Sequence, residues 1–321
     1  EIPKRDWSSD VCSSDLSTLK LLDESSIHCC VTSPPYFNQR DYGIDGQIGL
    51  EQSVDEYIQN LVRVFSGVKD VLRDDGTLWV NLGDAYFKGS SKRDNDGSGL
   101  KEKDLIGVPW KLAFALRDAG WWLRQEIIWA KPNPMPTSAS DRCTASHEQI
   151  FMFSKNKHYF YDKYATEEWV DYGELGRGIK NTLSVWNMSP SSYKGSHFAT
   201  FPVELPSKCI KLGCPKSFCP ECGKNVERYI EKSRIPTRPG NTTKNTGDNS
   251  IIGNKDPKRH VSVINFMSHK RVCDCDCPLE LPTVLDPFSG VGTTGIAALT
   301  NNCNYIGIEL NPEYAQMSWS R

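Results

Sequence analysis

The chain has 321 residues with 38 Lys and Arg against 40 Asp and Glu, a net charge of −2, so any nucleic-acid surface must be local. Hydrophobic residues make up 38% of it, which excludes a largely disordered protein. No apolar run approaches the roughly 20 residues that a membrane helix needs. The N-terminus carries no secretory signal pattern, and we therefore expect a cytoplasmic protein with no membrane partner.

The first 16 residues have an unusual sequence. They read EIPKRDWSSDVCSSDL, with no helical or strand period and two near-repeats of Ser-Ser-Asp. This stretch resembles the translation of a sequencing-library adapter; the alternative is a native polar leader. Because such scars are excluded from fold reasoning, we expect residues 1–16 to be non-native and the native N-terminus to be lost upstream of about Ser17.

Strands and helices are predicted to alternate along the rest of the chain. Apolar runs predict strands at 27–31, 77–82, 121–130, 148–154, 282–285 and 305–308. Helical periods predict helices at 53–72, 108–119, 202–212 and 293–299. A turn is predicted at 73–76 and a mobile polar loop at 88–103. The alternation favours an α/β protein with a Rossmann-like, mostly parallel sheet, helices on both faces, and ligands at the carboxyl ends of the strands.

A glycine-rich turn near the C-terminus indicates a nucleoside site. Asp286-Pro287-Phe288-Ser289-Gly290-Val291-Gly292 lies between a predicted strand and a predicted helix, and its glycines let the backbone approach a ligand. The next strand ends in Glu309, seventeen residues beyond Gly292, where an acidic group can hold ribose hydroxyls. The G-x-G-x-x-G pattern is missing, so a nucleoside without a pyrophosphate fits better than NAD. The alternative is a plain tight turn.

Two motifs carry a family resemblance. The turn is similar to the S-adenosyl-L-methionine motif of DNA amino-methyltransferases, and Thr32-Ser33-Pro34-Pro35-Tyr36 to their catalytic motif. The order of the two motifs is that of the permuted β group, the N-4 cytosine and N-6 adenine DNA methylases, and residues 127–133 and 197–202 resemble further blocks of that group. The family's Gly-Asp pair is replaced by Ser14-Asp15 here.

The resemblance, which covers about residues 17–319, implies a methyltransferase sheet and specific site residues. It implies a catalytic domain over 17–212 and 278–321 with S-adenosyl-L-methionine as cofactor. The implied catalytic residues are Ser33, Pro34, Pro35 and Tyr36. The implied cofactor-binding residues are Phe201, Pro202, Asp286, Phe288, Gly290, Gly292, Thr293 and Glu309.

The catalytic motif suits methylation of an exocyclic amine. Such an amine is a poor nucleophile because its lone pair is delocalised into the ring, so catalysis must come from positioning and electrostatics. The two prolines fix the loop so that the Ser33 hydroxyl and the Pro34 carbonyl can accept the two amine hydrogens. Tyr36 offers a stacking face worth about 1–3 kcal/mol, which offsets the cost of flipping a base. Carbon-5 cytosine chemistry is excluded, because no Pro-Cys dipeptide occurs.

The residue at position 33 bears on the target base. The family's adenine enzymes mostly carry Asp there and its cytosine-N4 enzymes mostly Ser, and a hydroxyl can also donate toward cytosine N3. We therefore expect methylation of N4 of a flipped cytosine in double-stranded DNA, in a prokaryote or phage, with a cognate restriction endonuclease as a candidate partner. The alternatives are an adenine-N6 methyltransferase and a catalytically inactive, zinc-containing DNA-binding protein.

The placement of the twelve cysteines predicts a metal site. Isolated cysteines are expected to be small buried residues, namely Cys29, Cys30, Cys143 and Cys303. Seven others crowd residues 209–277, where Cys219 and Cys222 form a C-x₂-C-G zinc knuckle and two of Cys273, Cys275 and Cys277 can complete a tetrahedron. A similar insert in some members of the methyltransferase group implies Cys273 and Cys275. The alternative is free thiols in a loop.

The cysteines bound a basic stretch. We expect a zinc-bearing insert over 213–277 with a loop or disorder at 236–260. Residues 228–271 hold ten Lys and Arg against three acidic residues, a net charge of +7 that suits contacts with DNA phosphates. The alternative is a merely solvated basic loop.

Overall fold

The computed structural model describes residues 15–87, 99–166, 168–171, 177–192, 199–236 and 260–321. The helices in these ranges are α1 (Asp15–Leu19), α2 (Val54–Val71), α3 (Val108–Asp118), α4 (Glu204–Gly213), α5 (Thr293–Thr300) and α6 (Pro312–Trp319). The long strands are β1 (Ile27–Thr32), β2 (Leu72–Leu82), β3 (Trp122–Ala130), β4 (His147–Ser154), β10 (Glu227–Pro236) and β11 (His260–Lys270). The short strands are β5 (Glu168–Asp171), β6 (Arg177–Lys180), β7 (Val185–Asn187), β8 (Ser191–Ser192), β9 (Ala199–Thr200), β12 (Thr283–Asp286) and β13 (Asn304–Gly307). Within the described ranges, every helix is too short or too polar to cross a membrane.

Seven strands form one mixed sheet in the order β13-β12-β1-β2-β4-β3-β7. Neighbouring strands from β13 to β2 pair in parallel, and β7 pairs in parallel with β3. Only β4, among these seven, runs against both of its neighbours. The predicted mostly parallel α/β sheet is confirmed.

Helices cover both faces of the sheet. On one face, α2 and α3 bury Tyr57, Leu61 and Leu112 in a core with residues of β1 and β2. On the other face, α4 and α5 bury Cys209 and Ala297 against the same strands. Because β1 is covered on both sides, all six of its residues are buried. This arrangement is typical of parallel strands in α/β proteins.

The connections diverge between β1 and β12. The chain leaves β1 through α2 to reach β2 on one side, and leaves β12 through α5 to reach β13 on the other. The loops that follow the two strands therefore turn away from each other and open a crevice at the carboxyl edge. Ligands bind at such a switch point in open α/β sheets.

Residues 73–76 differ from their prediction as a free turn. They belong to β2, where they form a bulge: Ile27 pairs with Leu72, but Cys29 already pairs with Thr77. Arg73 in this bulge donates a hydrogen bond to the carbonyl oxygen of Gly223 at 2.7 Å. The tertiary contact explains the bulge, which local sequence could not indicate.

Three other sequence predictions fall wholly or partly on residues that the structure does not describe. Residues 1–14 lie outside them, while Asp15 and Leu16 form the start of α1, a helix that the sequence did not predict. Residues 88–98 of the predicted mobile loop also lie outside. So do residues 237–259 of the predicted irregular stretch, whose two ends belong to the paired strands β10 and β11.

Helix α3 begins at an unusual cap. Gly107 precedes it with a φ of 75°, a left-handed conformation that favours glycine, and has no side chain to cap the helix. Asp84 caps the helix instead, because its carboxylate accepts the N–H groups of Gly107 and Val108 at 3.0 and 2.9 Å. The same carboxylate also accepts the N–H of Ala85 at 2.9 Å. Asp84 therefore closes the loop between β2 and α3.

Replacing Asp84 by Ala is expected to lower the free energy of unfolding by about 2 kcal/mol, because several backbone N–H groups lose their acceptor. Urea unfolding followed by circular dichroism measures the change. Asp118→Ala, on the exposed end of the same helix, is the matched control and should leave the midpoint nearly unchanged. Equal midpoints for the two variants would contradict the capping role.

Candidate active site

A cavity of about 330 Å³ lies at the carboxyl edge of the sheet. It collects residues that follow β1, β3, β12 and β13, together with the first residues of β4. Ten of the twelve catalytic and cofactor residues predicted from sequence line it, namely Ser33, Pro34, Pro35, Tyr36, Phe201, Asp286, Phe288, Gly290, Thr293 and Glu309. The volume is in the range of small-molecule sites.

A direct hydrogen bond joins the two sequence motifs. Thr32, the last residue of β1, donates from its hydroxyl to Asp286 Oδ1 at 2.6 Å. Both side chains are buried, and the two residues are 254 positions apart in sequence. The loop at 33–36 and the turn at 286–292 therefore start from one fixed point.

Glu309 closes the turn that follows β12. Its Oε2 accepts the N–H of Gly290 at 2.7 Å, and its Oε1 accepts the N–H of Asn311 at 2.8 Å. Gly290 has a φ of 51° and open space where a Cβ would stand, so its backbone can face the cavity. Burial raises the pKa of Glu309 above its ordinary value. The carboxyl group thus shapes the turn as well as lining the cavity.

Two predicted cofactor residues do not line the cavity. Pro202 is buried next to Phe201, which does line it. Gly292 is the N-terminal cap of α5, with a φ of 78°, and a Cβ there would stand 2.1 Å from the Ser318 hydroxyl oxygen. The glycine is needed for the close approach of α6, a contact that the motif did not indicate.

Asp286 is a deeply buried acid. It is 1% exposed, and burial raises its pKa to about 6, against the hydrogen bonds from Thr32 and from the Phe288 N–H that lower it. A proton therefore binds Asp286 more tightly in the folded chain than in the unfolded one.

The raised pKa of Asp286 predicts a pH dependence of stability. Its contribution is fully present below about pH 4, the ordinary value for Asp, and is lost as the pH rises through about 6. We expect wild-type stability, measured against Asp286→Asn, to fall by about 3 kcal/mol over this window. Urea midpoints at pH 4 and pH 7 test this, with the exposed Asp23→Asn as control. A wild-type advantage that grows with pH would contradict the sign.

Helix α2 anchors the 33–36 loop. The hydroxyl of Tyr57, a fully buried residue of α2, donates to the carbonyl oxygen of Pro35 at 2.8 Å. Pro34 is buried, whereas Ser33 and Tyr36 are half-buried and line the cavity. The Ser33 hydroxyl donates a long hydrogen bond to the Tyr36 hydroxyl at 3.5 Å, so the loop is a fixed wall whose two polar side chains are in contact with each other.

Sequence reasoning missed a polar cluster beside this loop. Tyr36 donates from its hydroxyl to Glu148 Oε2 at 2.6 Å, Asn81 donates to the same oxygen at 3.1 Å, and Lys131 forms an ion pair with Glu148. Asn81, Lys131 and Glu148 line the cavity. Glu148 reaches this edge because β4 is antiparallel, so its first residues meet the carboxyl ends of its neighbours. Lys131 lies in the block of residues 127–133 that resembles the family, and this block was the one sequence signal that pointed to the cluster.

The loop that contains Arg40, Tyr42 and Gln47 forms a further part of the cavity lining. Gln47 ties it together by accepting the N–H of Tyr42 at 2.7 Å and donating to the carbonyl oxygen of Arg40 at 3.1 Å. Tyr42 packs edge-on against Tyr314 of α6 at a centroid distance of 6.2 Å. Arg40, Tyr42 and Gln47 all line the cavity, and none was predicted from the sequence.

The seven cysteines of residues 209–277 fall into two groups, one clustered in the insert and one buried in the core. The sulfur atoms of Cys219, Cys222, Cys273 and Cys275 lie within 4.8 Å of one another, a donor set that fits a tetrahedral metal. The Cys277 sulfur is 3.4 Å from that of Cys219. The other two cysteines of the crowded region, Cys209 and Cys214, are buried in the core, as are Cys29, Cys30 and Cys303. Cys143 is exposed, so its prediction as a buried residue was wrong.

The cysteine cluster docks at the amino edge of the sheet, opposite the cavity. Phe218, next to Cys219, packs on the buried His28 of β1 at a centroid distance of 4.3 Å, and burial lowers the pKa of His28 to about 3, which keeps it neutral. Asn225 donates to Asp75 at 2.7 Å. Arg228, at the start of β10, forms a buried ion pair with Asp162 at 2.7 Å. The cluster thus anchors the β10–β11 ribbon to the domain.

The fold and the site together are those of a Rossmann-like enzyme with a small-molecule cavity at the carboxyl edge of its sheet. A family model described as DNA methylase, N6_N4_Mtase, matches residues 27–226 and 258–319. The chain therefore belongs to the DNA methylase family.

Relatives agree with this assignment, and solved structures agree with the fold. Type II methyltransferase M.Cfr9I of Citrobacter freundii is 39% identical over 321 residues, 95% of this chain and 84% of that protein. Type II methyltransferase M.SmaI of Serratia marcescens is 38% identical over 315 residues, 94% and 85% respectively. The PvuII DNA methyltransferase (cytosine-N4-specific) has the same fold, with a TM-score of 0.60 at 18% identity over 96% of this chain and 83% of that one. A Thermus thermophilus DNA modification methylase, solved with S-adenosyl-L-methionine, gives a TM-score of 0.55 at 19% identity over 96% and 90%.

Proposed function

We propose that this enzyme transfers a methyl group from S-adenosyl-L-methionine to the exocyclic N4 amine of a cytosine flipped out of double-stranded DNA. The observation that carries the proposal is the single cavity shared by the 33–36 loop and the 286–292 turn, joined at Thr32 and Asp286. One wall carries acceptors for an amine, and the other carries a nucleoside-type turn. Relatives named type II methyltransferases support the reaction class.

The cofactor is assigned to the side of the cavity built from β12 and β13. Each oxygen of Glu309 accepts one backbone N–H and keeps a further lone pair for a ribose hydroxyl. Phe288 and Phe201 supply apolar lining for the rest of the nucleoside. S-adenosyl-L-methionine, when bound, supplies the electrophilic methyl group. The resemblance of the turn to the family motif and the Thermus thermophilus complex support this assignment.

The target amine is assigned to Ser33 and Pro34. The Ser33 hydroxyl and the Pro34 carbonyl accept the two amine hydrogens, which draws electron density onto the nitrogen. The bond from Tyr57 to the next carbonyl, that of Pro35, keeps this geometry in place before the base arrives. Such pre-organisation is the main means by which a site of this kind speeds transfer.

The choice of cytosine depends on Ser33. A hydroxyl accepts from the amine and can also donate toward the adjacent ring nitrogen N3, which a carboxylate cannot do. In the permuted β group, whose motifs this chain resembles, the cytosine-N4 enzymes also mostly carry Ser at this position. The PvuII enzyme, named as cytosine-N4-specific, shares the fold.

The four cysteines Cys219, Cys222, Cys273 and Cys275 are assigned to one structural zinc ion. Four thiolates fill a tetrahedron and leave no position for a catalytic water. Phe218 and Asn225 contact the amino edge of the sheet next to the cysteines. The ion would therefore fix the part of the insert that holds it to the domain. The insert over 213–277 then interrupts a catalytic domain of 17–212 and 278–321, and its paired strands β10 and β11 are the part that the zinc site anchors.

Purified protein prepared without chelators is expected to contain about one zinc ion per chain, by elemental analysis. Cys219→Ser combined with Cys222→Ser should reduce the zinc content to near zero, whereas Cys143→Ser, at an exposed cysteine outside the cluster, should retain it. A zinc content near zero in the wild type would contradict the site. Zinc retained by a Cys273→Ser, Cys275→Ser variant would transfer a ligand role to Cys277.

DNA is the macromolecular partner, and the basic stretch of residues 228–271 is assigned to contacts with its phosphates. Residues 228–271 carry a net charge of +7 in a chain of net charge −2, and phosphate contacts by Lys and Arg supply most non-specific DNA affinity. The relatives' naming as type II methyltransferases supports a cognate restriction endonuclease as a functional partner in a prokaryotic or phage-infected cytoplasm.

Transfer of radiolabelled methyl groups from S-adenosyl-L-methionine to DNA tests the proposed activity in vitro. Incorporation into DNA from a host without amino-methylation, together with measurable cofactor binding by calorimetry, is the expected result. A chain that binds DNA but neither binds the cofactor nor incorporates label would instead be an inactive DNA-binding protein.

A further inference from the structure

Glu148 is a charged side chain beside the 33–36 loop that has neither a cofactor nor an amine role in the proposed function. It is the second residue of β4 and lines the cavity. Its side chain is 15% exposed, and that of its partner Lys131 is 19% exposed. Partial burial of an ion pair at a cavity wall costs solvation, so the pair calls for a function.

The oxygens of Glu148 are occupied by protein donors. Oε2 accepts the Tyr36 hydroxyl at 2.6 Å and an N–H of Asn81 at 3.1 Å, while Oε1 faces the ammonium group of Lys131. Asn81 is itself held, because it also donates to the carbonyl oxygen of Gln149 at 3.1 Å. A carboxylate with this set of partners is suited to holding its neighbours in place rather than to receiving a ligand.

The Tyr36 ring is held at both ends. At its edge it packs on Gly83, where a Cβ would lie only 2.7 Å from Tyr36 Cε2. At its tip the hydroxyl donates to Glu148. Burial, aided by the carboxylate of Glu148, raises the pKa of Tyr36 well above its ordinary value, so the hydroxyl stays a donor. The ring therefore has one fixed orientation at the cavity.

We propose that Glu148 is a positioning residue that fixes the Tyr36 ring as a stacking platform for the flipped base, with Lys131 and Asn81 holding Glu148. This inference rests on the proposed function, since it needs a flipped base to stack. Glu148 acts only through the Tyr36 hydroxyl. Its removal therefore has no further effect once that hydroxyl is gone.

The test compares Glu148→Ala, Tyr36→Phe and the double variant in single-turnover methylation of a duplex that contains the chain's mapped target site. Each single variant should methylate about tenfold more slowly, and the double variant should be no slower than either single variant. Glu148→Gln should recover part of the rate, because its amide oxygen can accept the Tyr36 hydroxyl. Cofactor affinity should stay within about twofold in all variants.

A fluorescent cytosine analogue at the target position reports stacking directly. Binding of the wild type should change its fluorescence, and Glu148→Ala and Tyr36→Phe should reduce that change equally. Glu102→Ala, an exposed glutamate outside the cavity, is the control and should behave as wild type. If Glu148→Ala does not fold, Glu148→Gln replaces it, and its smaller loss of rate should disappear when it is combined with Tyr36→Phe.

Two results would overturn the inference. If the double variant methylates about a hundredfold more slowly than wild type, the product of the two single effects, Glu148 acts independently of the Tyr36 hydroxyl. An unchanged rate in Glu148→Ala would show that it has no role in positioning. In both cases the wild type still methylates DNA, whereas a wild type that methylates no base would instead overturn the proposed function.

Discussion

Replacing Glu309 by Gln is expected to weaken S-adenosyl-L-methionine binding by about a hundredfold. The carboxylate accepts the N–H groups of Gly290 and Asn311 with its two oxygens, but a glutamine amide has only one oxygen. One backbone N–H would then face an NH₂ group, and the ribose would lose an acceptor. Losing two charge-assisted hydrogen bonds of about 1.5 kcal/mol each corresponds to roughly this factor.

Isothermal titration calorimetry measures the effect of Glu309→Gln. The matched control is Glu313→Gln, the same substitution at an exposed residue in the first turn of α6, which should leave the affinity unchanged. A dissociation constant within about threefold of wild type in Glu309→Gln would contradict the assignment of the ribose to this residue.

Replacing Ser33 by Ala is expected to slow methyl transfer by about a hundredfold while cofactor affinity stays nearly unchanged. The variant loses the acceptor that would stabilise the charge developing on the amine, an interaction that gains strength in the transition state. The cofactor side is intact, because Phe288 and Glu309 lie in the loops that follow β12 and β13.

Single-turnover rates on DNA and calorimetry with the cofactor separate these two effects. Ser66→Ala, on the exposed side of α2, is the control for the serine hydroxyl and should methylate as wild type. If Ser33→Ala methylates as fast as Ser66→Ala, or if it loses the cofactor, the assigned role of Ser33 is wrong.

The sheet could be predicted because its strands are buried on both faces. Apolar runs such as Ile27–Thr32 and the periodic helix Val54–Val71 appear in the structure within a few residues of their predicted bounds. The cap of α2 was also predictable, since the Ser53 hydroxyl accepts the N–H of Glu56 at 3.2 Å. These features depend on local sequence alone.

The parts that sequence could not supply depend on tertiary contacts. The bulge at 73–76 forms against Gly223 and Asn225, about 150 residues away, and no local pattern encodes it. The ribbon of β10 and β11 was missed because β10 is mostly polar and the apolar residues of β11 stand next to a stretch without any period. The pairing between the two strands sets its limits.

The parts of the candidate site that belong to short family motifs were predictable. The parts that reach the site through the direction of a strand were not. The 33–36 loop and the 286–292 turn were found from their residues, and the structure places both in one cavity. Glu148 was missed because its position at the site follows from the antiparallel direction of β4. Gly292 was assigned to the cofactor from the motif, whereas the structure places Ser318 where its side chain would be.

Nucleoside mass spectrometry of DNA from cells that express this chain tests the proposed amine methylation most directly, with cells expressing Ser33→Ala as the matched control. N4-methylcytosine is expected in the first sample and far less of it in the second. N6-methyladenine alone would contradict the choice of cytosine, and the absence of both modified bases would contradict the proposed amine methylation itself.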